Sequence, residues 1–240
     1  MPNEDERTRT PEIVDAGPAP ETERNECALP ERLPPRGPKI TGLDLSLSAT
    51  GLAGVWGQTA WAEVLRAKAI PESESLTSWR RFERIDMIGE TILDYARGST
   101  LVVVEGPVFY IPPGGERGYF ERAELFFDVT RKLRRARIPF AVAAPKSIKL
   151  YATGKGNAKK DAVLTAMVRR VGPLVRDLDD NNAADALAAA MMGADWLGYP
   201  LVPMPEVNRR ALPGVDWRIE GNPGAVAEAL EAAAGRWAGE

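Results

Sequence analysis

The hydrophobic pattern changes period several times along the chain, and each change marks an element. Short β-type runs come first: Thr41-Gly42-Leu43-Asp44-Leu45, then Leu52 to Trp56, then Ala60 to Leu65 after a Gly57-Gln58-Thr59 turn. They predict three antiparallel strands between Ile40 and Ile70, the first two joined by the small polar turn Ser46 to Gly51. From Ser78 to Arg97 the spacing becomes helical. Phe82, Ile85, Ile88, Ile92 and Tyr95 recur at three- and four-residue steps, and Gly98 suits the C-terminal cap. TLVVVE, Thr100 to Glu105, is a β-branched run of the buried-strand kind. Tyr119 to Arg137 predicts a second helix with Ala123, Phe126, Phe127, Thr130 and Leu133 as its apolar stripe. Ile138 to Ala144 is another strand, and Pro145 to Asn157 is a loop. Ala158 to Val171 is a helix that Gly172 and Pro173 stop. Asp177 to Met192 is the last core helix: its acids and amides suit an N-terminus, and its alanines sustain it.

The ends differ from this middle. Met1 to Pro38 is rich in Pro, Glu and Arg without apolar periodicity, and is expected to be a disordered tail over residues 1–38. A core domain over 39–203 follows, then an extension over 204–240. Within that extension Asn222-Pro223 suits a helix start and Ala225 to Trp237 a short amphipathic helix.

Composition narrows the chemistry. There is no histidine, which excludes histidine triads, histidine zinc sites and a histidine base. The single cysteine, Cys27, cannot form an intrachain disulfide, so a reducing, cytoplasmic setting is expected. No apolar run approaches the length of a membrane span, so no membrane is expected. The net charge of −3 argues by itself against nucleic acid. Yet basic residues clearly outnumber acids from Gly106 to Arg170, and a local basic surface is what nucleic-acid binding needs.

Three carboxylates sit at unusual places. Asp44 interrupts an apolar strand, Glu105 ends a buried one, and Asp185 lies in the first turns of the last core helix. Asn182, three residues before Asp185, shares its helix face. A lone strand acid is ordinarily a solvent-facing residue, so each alone means little. Strands one and four are neighbours in a ribonuclease H-like order, which would bring all three acids together. Converging carboxylates repel unless cations neutralise them, and hard divalent ions are natural partners for oxygen ligands.

Four blocks then closely resemble the motifs of RuvC-type Holliday junction resolvases: ITGLDLSLSATG, LVVVEGPVF, KSIKLYATGKGNAKKDAV and NNAADALAAAM. They run in the family's order from about Lys39 to Met192. The first alone also suggests sugar-kinase-like ATP binding. The resemblance implies an α/β, ribonuclease H-like fold: a mixed five-stranded sheet, three antiparallel strands then parallel ones, flanked by helices. It implies Asp44, Glu105 and Asp185 as catalytic acids and metal ligands, holding two Mg²⁺ or Mn²⁺ ions per site. It places Lys149 and Lys160 on lysines that face DNA, with Lys146, Lys155 and Lys159 in the same basic block. Phe109 falls one position from an aromatic that contacts junction bases, with Tyr110 beside it. Asn182 stands where the family usually has Asp. It remains a candidate ligand, and Asp180 or Asp179 is the alternative, although helix capping is the plainer role for both.

The expectation is therefore a metal-dependent endonuclease acting on branched DNA, the four-way junction first, as a homodimer making paired nicks. A branch-migration helicase is a further expected partner, and the long polar tail suggests a diverged, phage or prophage, member. Three rivals stay open: a related nuclease for other branched or hybrid substrates, a non-catalytic DNA-binding module, and a sugar-kinase-like ATP-binding protein. The last needs a second domain and a second phosphate motif, which the chain lacks.

Overall fold

The computed structural model describes residues 37–69, 78–107, 118–220 and 223–237. A single sheet in the order β3-β2-β1-β4-β5-β6 forms the middle layer. Its strands are β1 (Lys39–Asp44), β2 (Ala49–Trp56), β3 (Thr59–Arg66), β4 (Leu101–Glu105), β5 (Phe140–Ala143) and β6 (Asp216–Glu220). The first three pair antiparallel, while β1–β4 and β4–β5 pair parallel. This is the ribonuclease H-like arrangement expected. The sheet has six strands rather than five, because β6 adds antiparallel to β5.

Side chains alternate between two apolar layers, as the pleat requires. Leu43, Leu52, Val102 and Val104 face α1 (Ser78–Ala96) and α2 (Tyr119–Arg135). Ile40, Ala53, Val55, Leu101 and Val103 face the other way, onto α5 (Asn181–Trp196). The middle of α5 is buried all round, which is why its sequence carries almost no polar face. Behind α5 lie α3 (Pro145–Thr153) and α4 (Lys160–Val171).

Glycine lets α5 lie directly on the sheet. A Cβ added to Gly42 would stand 1.9 Å from the Ala186 carbonyl oxygen, and one on Gly51 1.9 Å from that of Asn182. No side chain fits in either gap.

Three expectations need correcting. Pro145–Thr153 is a helix, not a loop. Proline at its N-terminal end and Gly154 in the left-handed region at its C-terminal end are the ordinary helix punctuation, in a segment too short to show periodicity. The buried face of α2 is Leu125, Phe126, Val129 and Leu133 rather than the stripe through Phe127 and Thr130; Phe127 is 51% and Phe120 75% exposed. On α1, Phe82 is likewise 57% exposed, while Ile85, Ile88 and Ile92 are buried as expected.

The extension from 204 is built into the sheet side of the molecule. A short helix α6 (Glu206–Arg209) precedes β6, and α7 (Pro223–Trp237) follows. Trp217 of β6 stacks on Trp196 of α5 with ring centroids 4.4 Å apart. Buried Asp195 joins α5 to α6 through Arg209 and to α3 through the Tyr151 hydroxyl. The Asn208 amide donates to the Tyr151 carbonyl. These polar atoms satisfy one another, as buried groups must.

Candidate metal centre

Backbone register brings the first two acids together. Leu43 of β1 pairs with Val104 of β4, so the next residues, Asp44 and Glu105, are neighbours at the same edge of the parallel pair. Both side chains alternate with residues of the α1–α2 layer and so point to the α5 side. There α5 contributes Asp185, one helical turn in. One carboxylate oxygen from each of Asp44, Glu105 and Asp185 lies within 4.8 Å of the others.

Such a cluster is electrostatically loaded. Burial pushes the Asp44 carboxyl up to about 7, with the Asp185 charge adding to the shift. Burial likewise raises Glu105 to about 8, with Asp44 and Asp185 adding, and burial raises Asp185. Lys160 opposes the rise at all three positions, and Lys149 does so at Glu105 and Asp185. The Oδ1 atom of Asp185 is buried and has no hydrogen-bond partner. An unpartnered buried oxygen on one of three converging carboxylates is what a hard divalent cation satisfies. The three acids therefore fit one such ion.

The expected completing ligands, Asn182 and Asp180, are engaged by other groups of the protein. Asp180 caps α5: its Oδ1 accepts from the Asn182 and Ala183 amides, and its Oδ2 accepts from Arg66. The Asn182 Nδ2 donates to the Ala49 carbonyl at 2.9 Å, and its Oδ1 accepts from Lys160 Nζ at 3.2 Å. Asp179 is exposed just ahead of the helix.

Among the basic block, Lys149 is half-buried on α3 and Lys160 opens α4. Lys146, Lys155 and Lys159 are exposed nearby in sequence. Phe109 and Tyr110 lie outside the described residues. Gly51 escaped the sequence reading, although its pairing with Asp44 in the β1–β2 ladder makes it the neighbour that sets α5 against the acids. Tyr151 and Asp195 escaped it too, for neither stands out from an apolar helix by spacing. Among the described residues, no helix is long and apolar enough to cross a membrane.

Comparison with known proteins agrees with this geometry. Residues 128–193 match the family model "Crossover junction endodeoxyribonuclease RuvC". Two curated proteins of that name, from two strains of Prochlorococcus marinus, align. The one from strain SARG is 44% identical over 61 residues, 25% of this chain. The one from strain MIT 9303 is 43% identical over 85 residues, 32% of this chain. These alignments span only 39% and 54% of the two relatives. The structure of Thermus thermophilus RuvC superimposes with a TM-score of 0.50 at 20% identity, covering 67% of this chain and 97% of that one. In its matched segment and in its fold, this chain is similar to RuvC-type Holliday junction resolvases.

Proposed function

We propose that the chain is a divalent-metal-dependent endonuclease that cuts four-way DNA junctions by phosphodiester hydrolysis. The observation that carries this reading is the convergence of Asp44, Glu105 and Asp185, from two strands and a helix, within 4.8 Å. Unpaired carboxylates are rarely gathered in a half-buried cleft unless a cation belongs there. When bound, such an ion supplies Lewis acidity and lowers the pKa of a water nucleophile. Asp44, Glu105 and Asp185 would hold it, and Asp185 Oδ1 is the atom left unpartnered for it. Lys149 and Lys160 stand beside the acids and would meet the phosphates of the bound strand, while Lys146, Lys155 and Lys159 extend that contact. The aromatic pair Phe109 and Tyr110 is proposed to stack on junction bases.

The names of the matched relatives support the crossover junction as substrate. The resemblance also carries two ions per site, but the residues of this chain support one. Paired cleavage requires two sites, so the active form is proposed to be a homodimer in the cytoplasm, working beside a branch-migration helicase. Exposed Phe82, Phe120 and Phe127 supply an apolar groove between α1 and α2 for the second copy. The test is incubation of the purified protein with labelled four-way junction, duplex, flap and RNA–DNA hybrid in Mg²⁺ or Mn²⁺. Preferential, symmetric nicking of the junction is expected. Cleavage of the hybrid alone would move the chain to a different nuclease specificity.

A further inference from the structure

We infer that Lys160, held in place by Asn182, stands where a second divalent cation would otherwise sit, so that each chain takes a single metal ion. This rests on the nuclease reading above and concerns how that site neutralises charge.

The amide of Asn182 fixes the arrangement. The Ala49 carbonyl can only accept, so it selects the Nδ2 end of the amide at 2.9 Å. The Oδ1 end is thereby turned to Lys160 Nζ, which can only donate, at 3.2 Å. Both ends of the side chain are committed, and its one good ligand atom faces an ammonium. Asp180 offers no replacement, because one oxygen caps α5 and the other is paired with Arg66. A second ion would therefore lack a dedicated ligand.

Charge leads to the same conclusion. With all three carboxylates ionised, as ligands to a metal must be, Lys149 and Lys160 leave the cluster one negative charge. One divalent ion turns that into one positive charge, which suits a phosphodiester. A second ion would sit beside an anchored ammonium and raise the total to three positive charges, with no added carboxylate to offset it. Lys160 Nζ already donates to the Asn182 amide oxygen, one turn before Asp185, at 3.2 Å. Its three N–H groups can serve Asn182 and still leave donors for a phosphate or leaving oxygen. The contribution is electrostatic, and no bond to Lys160 forms.

The decisive experiment counts metal rather than cleavage. Full-length protein is titrated with Mn²⁺, free and mixed with four-way junction, and followed by calorimetry and electron paramagnetic resonance. Two ions about 3.5–4 Å apart, the spacing of two-metal sites, give an exchange-coupled signal that a single ion lacks. Wild type is expected to bind one ion per chain with no coupled signal in either state. Asn182→Asp combined with Lys160→Met is expected to bind two, with the coupled signal. Two coupled ions in the wild type would overturn the inference, and would leave the nuclease reading intact if the junction is still cut. A folded double variant that still binds one ion would overturn it as well. Absence of any bound ion would overturn both readings. Should the double variant fail to fold, the wild-type count decides alone.

Discussion

Gly51 faces the backbone carbonyl of Asn182 so closely that a Cβ would stand 1.9 Å from its oxygen. Gly51 is also the ladder partner of Asp44. One glycine thus sets how near the start of α5, and Asp185 with it, comes to the strand acids. We predict that Gly51→Ala pushes α5 outward, costing about 1–3 kcal/mol as overpacking does. It should also lose most cleavage. Gly235→Ala is the control: it lies in α7 with open space around it, and should be neutral or stabilising by roughly 0.5–1 kcal/mol. Urea melts of both variants check this. Wild-type stability in Gly51→Ala would show that the contact relaxes freely.

The acid cluster predicts an unusual pH dependence. Asp44 titrates near about 7 and Glu105 near about 8 in the fold, against 3.8 and 4.5 for the free groups. Between those limits the folded chain holds protons that the unfolded chain has released. Metal-free stability should therefore fall as pH rises through that window. Tm is expected to drop by several °C, on the order of 5, between about pH 5 and pH 8. Saturating Mg²⁺ should remove most of the fall, and Asp44→Asn should reduce it. A metal-free Tm that rises across this range would contradict the assignment.

DNA affinity should come from the lysines rather than the acids. Lys149→Ala is predicted to weaken junction binding and lower the salt slope by about one unit, the share of one phosphate contact. Lys146→Ala and Lys155→Ala should each do the same if they meet the backbone. Binding measured over a salt series decides it, and unchanged slopes would return these side chains to the solvated surface.

Assembly can now be probed without disturbing the core. Phe126 is buried, so a charge there would unfold α2, but Phe127 beside it is 51% exposed. Phe127→Asp is predicted to leave the far-ultraviolet circular dichroism unchanged while shifting a micromolar dimer to monomer in sedimentation. A wild type that is monomeric both free and on junction DNA would remove the paired-nick mechanism.

Much of this was legible in the sequence, for identifiable reasons. The strands of the first hairpins and α1 follow from period alone. Asp44, Glu105 and Asp185 stood out because acids in apolar surroundings need a partner. Other features depend on contacts between distant residues. The direction of the Asn182 amide is set by Ala49, which lies on another element, and no local pattern reports it. The sixth strand follows a proline-rich stretch and is held by Trp217 stacking on Trp196. On α2 the apolar pattern is ambiguous, because Phe126 and Phe127 are adjacent, one turned inward and one outward. Helix α3 carries proline and glycine punctuation, but its nine residues show little periodicity to predict it.

The central claim is that Asp44, Glu105 and Asp185 form one metal-dependent cleaving site. Cleavage and binding of a labelled four-way junction by wild type, Asp44→Asn, Glu105→Gln and Asp185→Asn, with and without divalent metal, test it most directly. The account predicts metal-dependent nicking by wild type and a loss of at least about 100-fold in each variant, on the order of several kcal/mol of transition-state stabilisation. Junction affinity should stay within about threefold of wild type, because phosphate contacts come from basic residues. Near-normal cleavage by Asp44→Asn, or cleavage by wild type that persists in excess chelator, would contradict it.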